Sequence, residues 1–120
     1  LNYIKKVYEK LENDCKEQNF ENVEYNTYNL IRLTYSLGIH IGVDLDASFK
    51  IVHDSNMTKI CDTEELAKET VEHYKQNDNR YDSPAYKHSQ YGYIIYNEST
   101  GKILKSIKYT AANFESLLKF

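Results

Sequence analysis

Apolar side chains in the first part of the chain repeat at steps of three and four residues, which is the spacing of one face of an α-helix. One such repeat lies between Leu1 and Cys15, and a second runs from Val23 to Ile41, with the polar stretch 16–19 between them. The sequence therefore predicts two consecutive helices. Their apolar stripes are Leu1, Ile4, Tyr8, Leu11 and Cys15 in the first helix and Val23, Leu30, Leu33, Leu37 and Ile41 in the second.

A glycine and two aspartates mark the boundary between the second helix and a third. Gly42 is expected to end the second helix, because glycine adopts the left-handed conformation of a helix C-terminus at little cost. Asp44 or Asp46 can then cap the next helix. The spacing of Phe49 and Val52 predicts that this short third helix buries both side chains.

A fourth helix is predicted over residues 63–76. The sequence Asp-Thr-Glu-Glu at 62–65 resembles a capping box with Asp62 at the cap, and helical spacing of apolar residues follows it. The next stretch, 76–84, is polar and rich in turn-forming residues, which predicts a surface loop.

The pattern then changes from helical spacing to short runs of β-branched and aromatic residues. Residues 93–96 and 102–107 are predicted strands, and the turn-forming residues 97–101 separate them. The sequence therefore predicts a mainly α fold of antiparallel helices with a C-terminal β-hairpin. A short helical turn at Phe114, Leu117 and Leu118 is expected to close the chain.

The size and charge of the chain limit its class. With 120 residues and 14.1 kDa, one domain over 1–120 is expected. The chain starts at Leu1 rather than at methionine, so a missing N-terminal segment is an open alternative. The balance of 15 Lys+Arg against 18 Asp+Glu, a net charge of -3, argues against nucleic acid as a partner.

Membrane insertion and disulfide formation are not expected either. The sequence has no apolar run of about 18 residues, and its N-terminus does not resemble a signal peptide. Cys15 and Cys61 lie far apart and outside any Cys-x-x-Cys pattern. We expect reduced, packed thiols in a reducing compartment, and therefore a cytoplasmic protein.

Several sequence blocks carry chemical information. The first two are Gly-Val-Asp-Leu-Asp at 42–46 and His-Asp-Ser-Asn-Met-Thr-Lys at 53–59. Three more follow at 63–71, 81–86 and 96–106. In this order the blocks resemble the MazG-type all-α nucleotide pyrophosphohydrolases, specifically their phosphoribosyl-ATP-pyrophosphohydrolase-like branch.

The resemblance covers about residues 30–119 and implies the helical fold of that family, with nucleotide hydrolysis between the α- and β-phosphates. It also implies a homo-oligomer, such as a homodimer, and a Mg²⁺ ion held by four carboxylates. Mg²⁺ prefers octahedral oxygen ligands, neutralises developing phosphate charge and activates a water molecule.

The acids that would hold Mg²⁺ in the family are replaced in this chain. The first pair, Glu-x-x-Glu, falls on Val7 and Lys10, and the second, Glu-x-x-Asp, falls on Asn26 and Asn29. Valine has no ligand atom, lysine repels a divalent cation, and an asparagine carbonyl is a weak ligand by itself. The aligned positions therefore predict a degraded metal site.

Acid pairs with the same internal spacing lie close to these positions. They are Glu9 with Glu12 and Glu21 with Glu24. Using either pair would require a helix to shift by two or three residues, which would rotate its apolar stripe out of the core. A run of surface glutamates is ordinarily a solvated helix face, and this interpretation is favoured.

The resemblance retains a set of candidate nucleotide-binding residues. The resemblance implies that Asn56 and Lys59 line the nucleotide pocket, where an amide can pair with a base or sugar and an ammonium group with phosphate. The alternative is a capping asparagine and a solvated lysine. Lys102, Lys105 and Tyr109 belong to the hairpin region, and the two lysines are expected to point to opposite faces of a strand.

Three functions are therefore compatible with the sequence. The favoured one is a nucleotide-binding or regulatory pseudoenzyme with impaired hydrolysis. The second is an active Mg²⁺-dependent nucleoside triphosphate or phosphoribosyl-ATP pyrophosphohydrolase that uses displaced acids or acids from elsewhere. The third is a structural module that binds another protein through exposed tyrosines.

Overall fold

The computed structural model describes residues 1–117 and is mainly helical, with a small antiparallel sheet. It divides into two compact units, Leu1–Ser48 and Phe49–Phe120. One domain over the whole chain stays a prediction. The elements are α1 (Asn2–Lys16), α2 (Phe20–Ile41), α3 (Leu45–Met57), α4 (Glu64–Asn77), β1 (Pro84–Ser89), β2 (Gly92–Asn97), β3 (Ile103–Leu104) and a 3-10 turn at Glu115–Leu117.

The first unit consists mainly of α1 packed against α2, with a connection of three residues that turns the chain back on itself. The predicted stripe of α1 is wrong in part, because Tyr8 is 56% exposed and Cys15 is exposed. The less exposed face of α1 contains Val7 and Asp14 instead. Asn26 of α2 explains this rotation, since its side-chain amide donates a 2.7 Å hydrogen bond to Asp14.

The ends of the predicted stripes are also exposed: Leu1 by 86% and Ile41 by 62%. Helix ends have fewer neighbours than helix centres, so apolar spacing alone overestimates burial there. The described helices include none that is long and apolar enough to cross a membrane.

The boundary between α2 and α3 lies at Gly42 and Asp44, as predicted. Gly42 ends α2 in the left-handed conformation, with φ 78°. Asp44 accepts a 3.1 Å hydrogen bond from the backbone N–H of Ala47 and so caps α3. The predicted inward orientation of Phe49 and Val52 is wrong, because their exposed fractions are 69% and 41%.

The cap of α4 lies one residue later than predicted. Thr63, not Asp62, is the N-cap, and its hydroxyl accepts a 3.2 Å hydrogen bond from the N–H of Leu66. The third helical position is therefore Leu66, which cannot complete a capping box. Glu64 and Glu65 lie in the first turn, where their charge interacts favourably with the helix dipole.

The sheet has the order β1-β2-β3, and both pairings are antiparallel. The hairpin of β2 and β3 is confirmed, but the predicted second strand, 102–107, is reduced to Ile103–Leu104. β1 was not predicted: the predicted loop includes its first residue, Pro84, and no element was predicted for residues 85–89. The closing turn is present at Glu115–Leu117, and Leu118 lies outside the described residues.

The core of the second unit lies between α4 and the sheet. Its buried apolar residues are joined by partly buried tyrosines on α4, β1 and β2. Gly92 passes so close to Cys61 that an added Cβ would lie 2.6 Å from the Cys61 carbonyl oxygen. The Cys61 side chain is fully buried, so the prediction of a packed thiol is confirmed for Cys61. The same prediction is wrong for Cys15, which is exposed. The buried core residues are Cys61, Ala67, Val71, Ile95 and Leu104.

Candidate functional site

The segment that follows β3 is held against the end of α3 by hydroxyl hydrogen bonds. The Ser55 hydroxyl donates to the Thr110 carbonyl oxygen at 2.7 Å, and the Thr110 N–H donates to the Thr58 hydroxyl at 2.9 Å. Ser55 is buried, so its hydroxyl needs such a partner. These bonds place Tyr109 beside Lys59.

Two lysines approach the ring of Tyr109. The Lys105 Nζ atom lies 4.4 Å from the ring centroid, and the Lys59 Nζ atom lies 5.9 Å from it. Both distances are within the range of a cation–π interaction. In the part of the chain that the structure describes, no carboxylate oxygen lies within 4.0 Å of either ammonium group. We call Lys59, Lys105 and Tyr109 the lysine–tyrosine cluster.

The cluster changes the acidity of its phenol. The Ser55 hydroxyl lies 3.4 Å from the Tyr109 phenol oxygen, and this contact, together with the charges of Lys105 and Lys59, lowers the pKa of Tyr109 below its ordinary value near 10. An opposite charge nearby favours the ionised form of an acid. The Ser55 contact is the largest cause of the shift, and the charges of Lys105 and Lys59 act in the same direction.

Lys105 owes its backbone position to α4. The Tyr74 hydroxyl donates to the Lys105 carbonyl oxygen at 2.7 Å and accepts from the Lys105 N–H at 3.1 Å. Partial burial is the main reason that the pKa of Tyr74 is raised. The Tyr74 ring also packs edge-on against Tyr81, with 5.7 Å between centroids. Lys105 therefore follows β3 with both of its backbone polar groups hydrogen-bonded to Tyr74.

The remaining predicted nucleotide-binding residues lie outside the cluster. Asn56 is exposed on the last turn of α3, and its side chain forms no hydrogen bond with other described residues. Lys102 is exposed and its Nζ atom lies 5.4 Å from the centroid of Tyr81 rather than near Tyr109. Lys102 and Lys105 thus contact different rings. The structure brings together three of the five residues.

The positions aligned with the family's metal ligands lie on α1 and α2. Val7 is half-buried and Lys10 is exposed. Asn26 is buried and its amide is bonded to Asp14, while Asn29 is half-buried. An amide that donates to a carboxylate is part of a hydrogen-bonded pair, not of an acidic metal cage. The donor set at these positions does not fit Mg²⁺.

The two neighbouring glutamate pairs, which were the alternative metal ligands, do not form a metal site among the described residues either. All four are exposed, and Glu12 pairs with Lys16 at 3.3 Å. Among residues 1–117 there is no group of three or more His, Cys, Asp or Glu side chains that could hold a metal ion. The acids concerned are Glu9, Glu12, Glu21 and Glu24.

Sequence reasoning missed Ser55, Thr58 and Tyr74 as parts of the site. Each acts on a residue that is distant in the chain, by 31 positions for Tyr74 and Lys105 and by 55 for Ser55 and Thr110. Local sequence patterns do not indicate contacts between residues that are this far apart in the chain. The one available signal for Ser55 was its position within the 53–59 block.

An uncharacterized protein of Acanthamoeba polyphaga mimivirus is similar to this chain. The alignment of 120 positions is 38% identical and covers 97% of this chain and 47% of that protein. The chain therefore spans about half the length of this curated relative. No protein-family profile matches the chain. No solved structure matches it with significance.

Proposed function

We propose that this chain is a nucleotide-binding module with a MazG-type all-α pyrophosphohydrolase fold, and that it binds nucleotide phosphates without Mg²⁺-dependent hydrolysis. The observation that carries the proposal is the lysine–tyrosine cluster, in which Lys59 and Lys105 approach one ring and have no carboxylate partner among the described residues. Binding of nucleotide phosphate satisfies both charges. A regulatory or sensing role follows from binding without turnover.

The chemistry of the cluster favours phosphate over a neutral ligand. Each lysine supplies three N–H donors, and hydrogen bonds between ammonium groups and phosphate oxygens are charge-assisted. Both ammonium groups lie within 5.9 Å of the centroid of the Tyr109 ring. The proposed ligand therefore carries several phosphate oxygens, so that different oxygens pair with the two lysines.

The fold part of the proposal rests on the order of elements and on the sequence blocks. Four helices precede a small three-stranded antiparallel sheet that contains the C-terminal hairpin, and the resemblance implies a helical fold. Lys59, at the end of the 53–59 block, and Lys105, within the 96–106 block, meet at Tyr109. Blocks that are separated in the sequence thus supply one candidate site.

The absence of hydrolysis in the proposal rests on the residues at the aligned acid positions. Val7 offers no oxygen, Lys10 carries the wrong charge, and Asn26 is bonded to Asp14. Such a set would neither neutralise a triphosphate nor activate water. The favoured function is therefore a pseudoenzyme, in keeping with the rule that the site rather than the fold decides activity.

We also propose that the protein works in a reducing, cytoplasmic compartment.

The chain is further proposed to form a homo-oligomer. In the first unit, α2 presents a second apolar stripe on the side opposite its α1-facing residues. Its members recur at helical spacing and all are exposed, which is typical of a helix that packs against another protein surface. A second copy of the chain is the proposed partner. The stripe consists of Tyr28, Ile31, Tyr35 and Ile39, with exposed fractions from 41% to 79%.

Titration calorimetry with ATP tests the proposed function. We expect ATP to bind the wild type and to bind Lys59→Gln or Lys105→Gln about tenfold less tightly, because each variant loses a charge-assisted contact. Lys87→Gln is the matched control, since Lys87 also lies over a tyrosine ring, 5.0 Å from the centroid of Tyr96. Equal affinities for all four proteins would reject the cluster as the binding site.

A further inference from the structure

The negative net charge of the protein is not spread evenly along the chain. Residues 1–48 have five Lys+Arg against eight Asp+Glu, whereas residues 49–120 have ten of each. Within the second unit, residues 99–114 contain three lysines and no acid. A basic stripe on one surface, rather than the total charge, is the electrostatic feature that binds a polyanion. The three lysines of this segment are Lys102, Lys105 and Lys108.

A second tyrosine ring in this unit is also approached by two cations. The Lys102 Nζ atom lies 5.4 Å from the centroid of Tyr81, and the Arg80 guanidinium carbon lies 5.3 Å from it. Arg80 donates hydrogen bonds of 2.6 and 2.9 Å to the Asp78 carboxylate, so its charge is compensated. Among residues 1–117, no carboxylate oxygen lies within 4.0 Å of the Lys102 ammonium group. Lys102 therefore carries the uncompensated positive charge at this ring.

Tyr74 joins the Tyr81 ring to the lysine–tyrosine cluster. The Tyr74 ring packs edge-on against Tyr81, with 5.7 Å between centroids, and its hydroxyl is hydrogen-bonded to the backbone of Lys105. The rings of Tyr74, Tyr81 and Tyr109 are half-buried, so part of each ring stays exposed. Tyrosine rings and uncompensated lysines thus follow one another in a continuous set of contacts, which we call the aromatic–basic band. Its members are Lys59, Tyr109, Lys105, Tyr74, Tyr81 and Lys102.

The length of the aromatic–basic band favours a linear ligand with several phosphates. Lys102 and Lys105 lie three residues apart across β3, which is about 10 Å at roughly 3.3 Å per residue. Consecutive nucleotides of a stacked strand advance by about 3.4 Å, so this distance corresponds to about three nucleotides. ATP bound at Lys59 and Lys105 would leave Lys102 without a phosphate. A linear polyanion contacts all three lysines.

The tyrosines of the band favour a single-stranded nucleic acid over other polyanions. Proteins that bind single strands combine a positive groove with aromatic rings on which bases stack. A duplex hides the faces of its bases in the stack, and inorganic polyphosphate has no bases. A lysine that turns from its ring to a phosphate leaves ring surface free for a base, and exposed cation–π contacts are weak enough for this exchange.

We propose that the aromatic–basic band binds single-stranded nucleic acid, with phosphates at Lys59, Lys102 and Lys105 and bases against the tyrosine rings. The inference goes beyond the proposed function, with which it shares Lys59 and Lys105, because its ligand is a polymer. Lys102 separates the two binding modes, since it lies at Tyr81 and outside the lysine–tyrosine cluster.

Fluorescence anisotropy with labelled oligo(dT) and oligo(U) tests this proposal, at a length of about 12 nucleotides, which is within the site size of small single-strand-binding domains. An unlabelled duplex of the same length and inorganic polyphosphate serve as competitors. Titrations use the wild type, Lys102→Gln and Tyr81→Leu over a series of salt concentrations. Lys87→Gln is the matched control, because Lys87 lies over Tyr96, a ring outside the band. Far-ultraviolet circular dichroism and the thermal midpoint establish that each variant is folded.

We expect the wild type to bind a single strand and to lose affinity with salt, with a slope of log K against log salt of about -2 for three phosphate contacts. Lys102→Gln is expected to bind the strand about fivefold less tightly and to reduce the slope by about 0.7, while its ATP affinity stays at the wild-type level. Tyr81→Leu is expected to weaken binding without changing the slope, because the ring contributes stacking rather than charge. Lys87→Gln is expected to match the wild type.

The outcomes for this band and for the proposed function are distinguishable. A wild type that binds ATP but neither oligonucleotide would overturn the inference and leave the proposed function in place. Binding of an oligonucleotide without binding of ATP would support the inference and reject the proposed function. Equal strand affinities of Lys102→Gln and the wild type, or competition by duplex or polyphosphate as strong as that by the single strand, would also overturn the inference. Tighter binding of oligo(U) would identify RNA as the ligand, and tighter binding of oligo(dT) would identify DNA.

Discussion

The Tyr74 hydroxyl satisfies both backbone polar groups of Lys105, donating to its carbonyl oxygen at 2.7 Å and accepting from its N–H at 3.1 Å. One side-chain oxygen on α4 thereby replaces the strand partner that Lys105 would have in a longer β3. The contact also fixes where the Lys105 side chain leaves the backbone, next to Tyr109.

Tyr74→Phe removes this contact and keeps the ring. We expect a loss of about 1 kcal/mol in the free energy of unfolding, because water can replace the hydroxyl at this partly exposed position. We also expect ATP to bind about fivefold less tightly, since Lys105 loses its fixed position. Chemical denaturation and calorimetry measure the two effects.

Tyr81→Phe is the control for this substitution. Tyr81 packs against Tyr74, and its hydroxyl forms no hydrogen bond with the other residues the structure describes. If Tyr81→Phe and Tyr74→Phe lowered ATP affinity equally, the backbone contact would not be the cause. An unchanged affinity in Tyr74→Phe would show that Lys105 does not need the contact.

Phosphate binding is expected to weaken at alkaline pH. The pKa of Tyr109 lies below its ordinary value near 10, so its phenolate forms before a free tyrosine would ionise. The phenolate then pairs with the lysines and competes with phosphate. Without ligand, the folded protein gains stability as the pH rises through the lowered pKa of Tyr109. Bound phosphate raises that pKa by linkage.

Titrations of inorganic triphosphate over a series of pH values measure this effect. Tyr109→Phe lacks the titrating group, so we expect its affinity to stay level in the window where the wild type loses affinity. Phenolate absorbance of the wild type, with and without ligand, gives the pKa directly. A ligand that leaves the phenolate titration unchanged would place the phosphate elsewhere.

The core of the second unit depends on Ile95, which is fully buried at the centre of the sheet. Ile95→Ala is expected to lower the free energy of unfolding by about 2–5 kcal/mol, because it removes apolar contacts and leaves a cavity. Ile103→Ala is the control at a strand position that is 52% exposed. Its expected cost is within about 0.5 kcal/mol. Denaturant unfolding would contradict the described core if the two costs were alike.

The sequence predicts the helices well because their signals are local. Gly42 adopts the expected left-handed conformation, and Asp44 caps α3 as one of the two anticipated residues. The face of α1 was harder to predict. Tyr8 and Val7 both fit a helical repeat with Leu11, and the packing of Asp14 against Asn26 decides between them.

The sheet and the candidate site were less predictable because they depend on distant contacts. β1 has only Ala85 and Tyr86 as apolar residues after its proline, and pairing with β2 makes it a strand. The resemblance named Lys59, Lys105 and Tyr109, which do meet, but it also named Asn56 and Lys102, which lie apart from that cluster. Only tertiary structure separates these two sets.

The central claim is nucleotide binding without metal-dependent hydrolysis, and calorimetry with ATP in the presence of EDTA tests it most directly. A parallel titration with Mg²⁺ includes an assay for released pyrophosphate. We expect binding in EDTA that Lys59→Gln and Lys105→Gln weaken, with no pyrophosphate released in Mg²⁺. Binding that requires Mg²⁺ and is followed by pyrophosphate release would contradict the account and identify an active hydrolase.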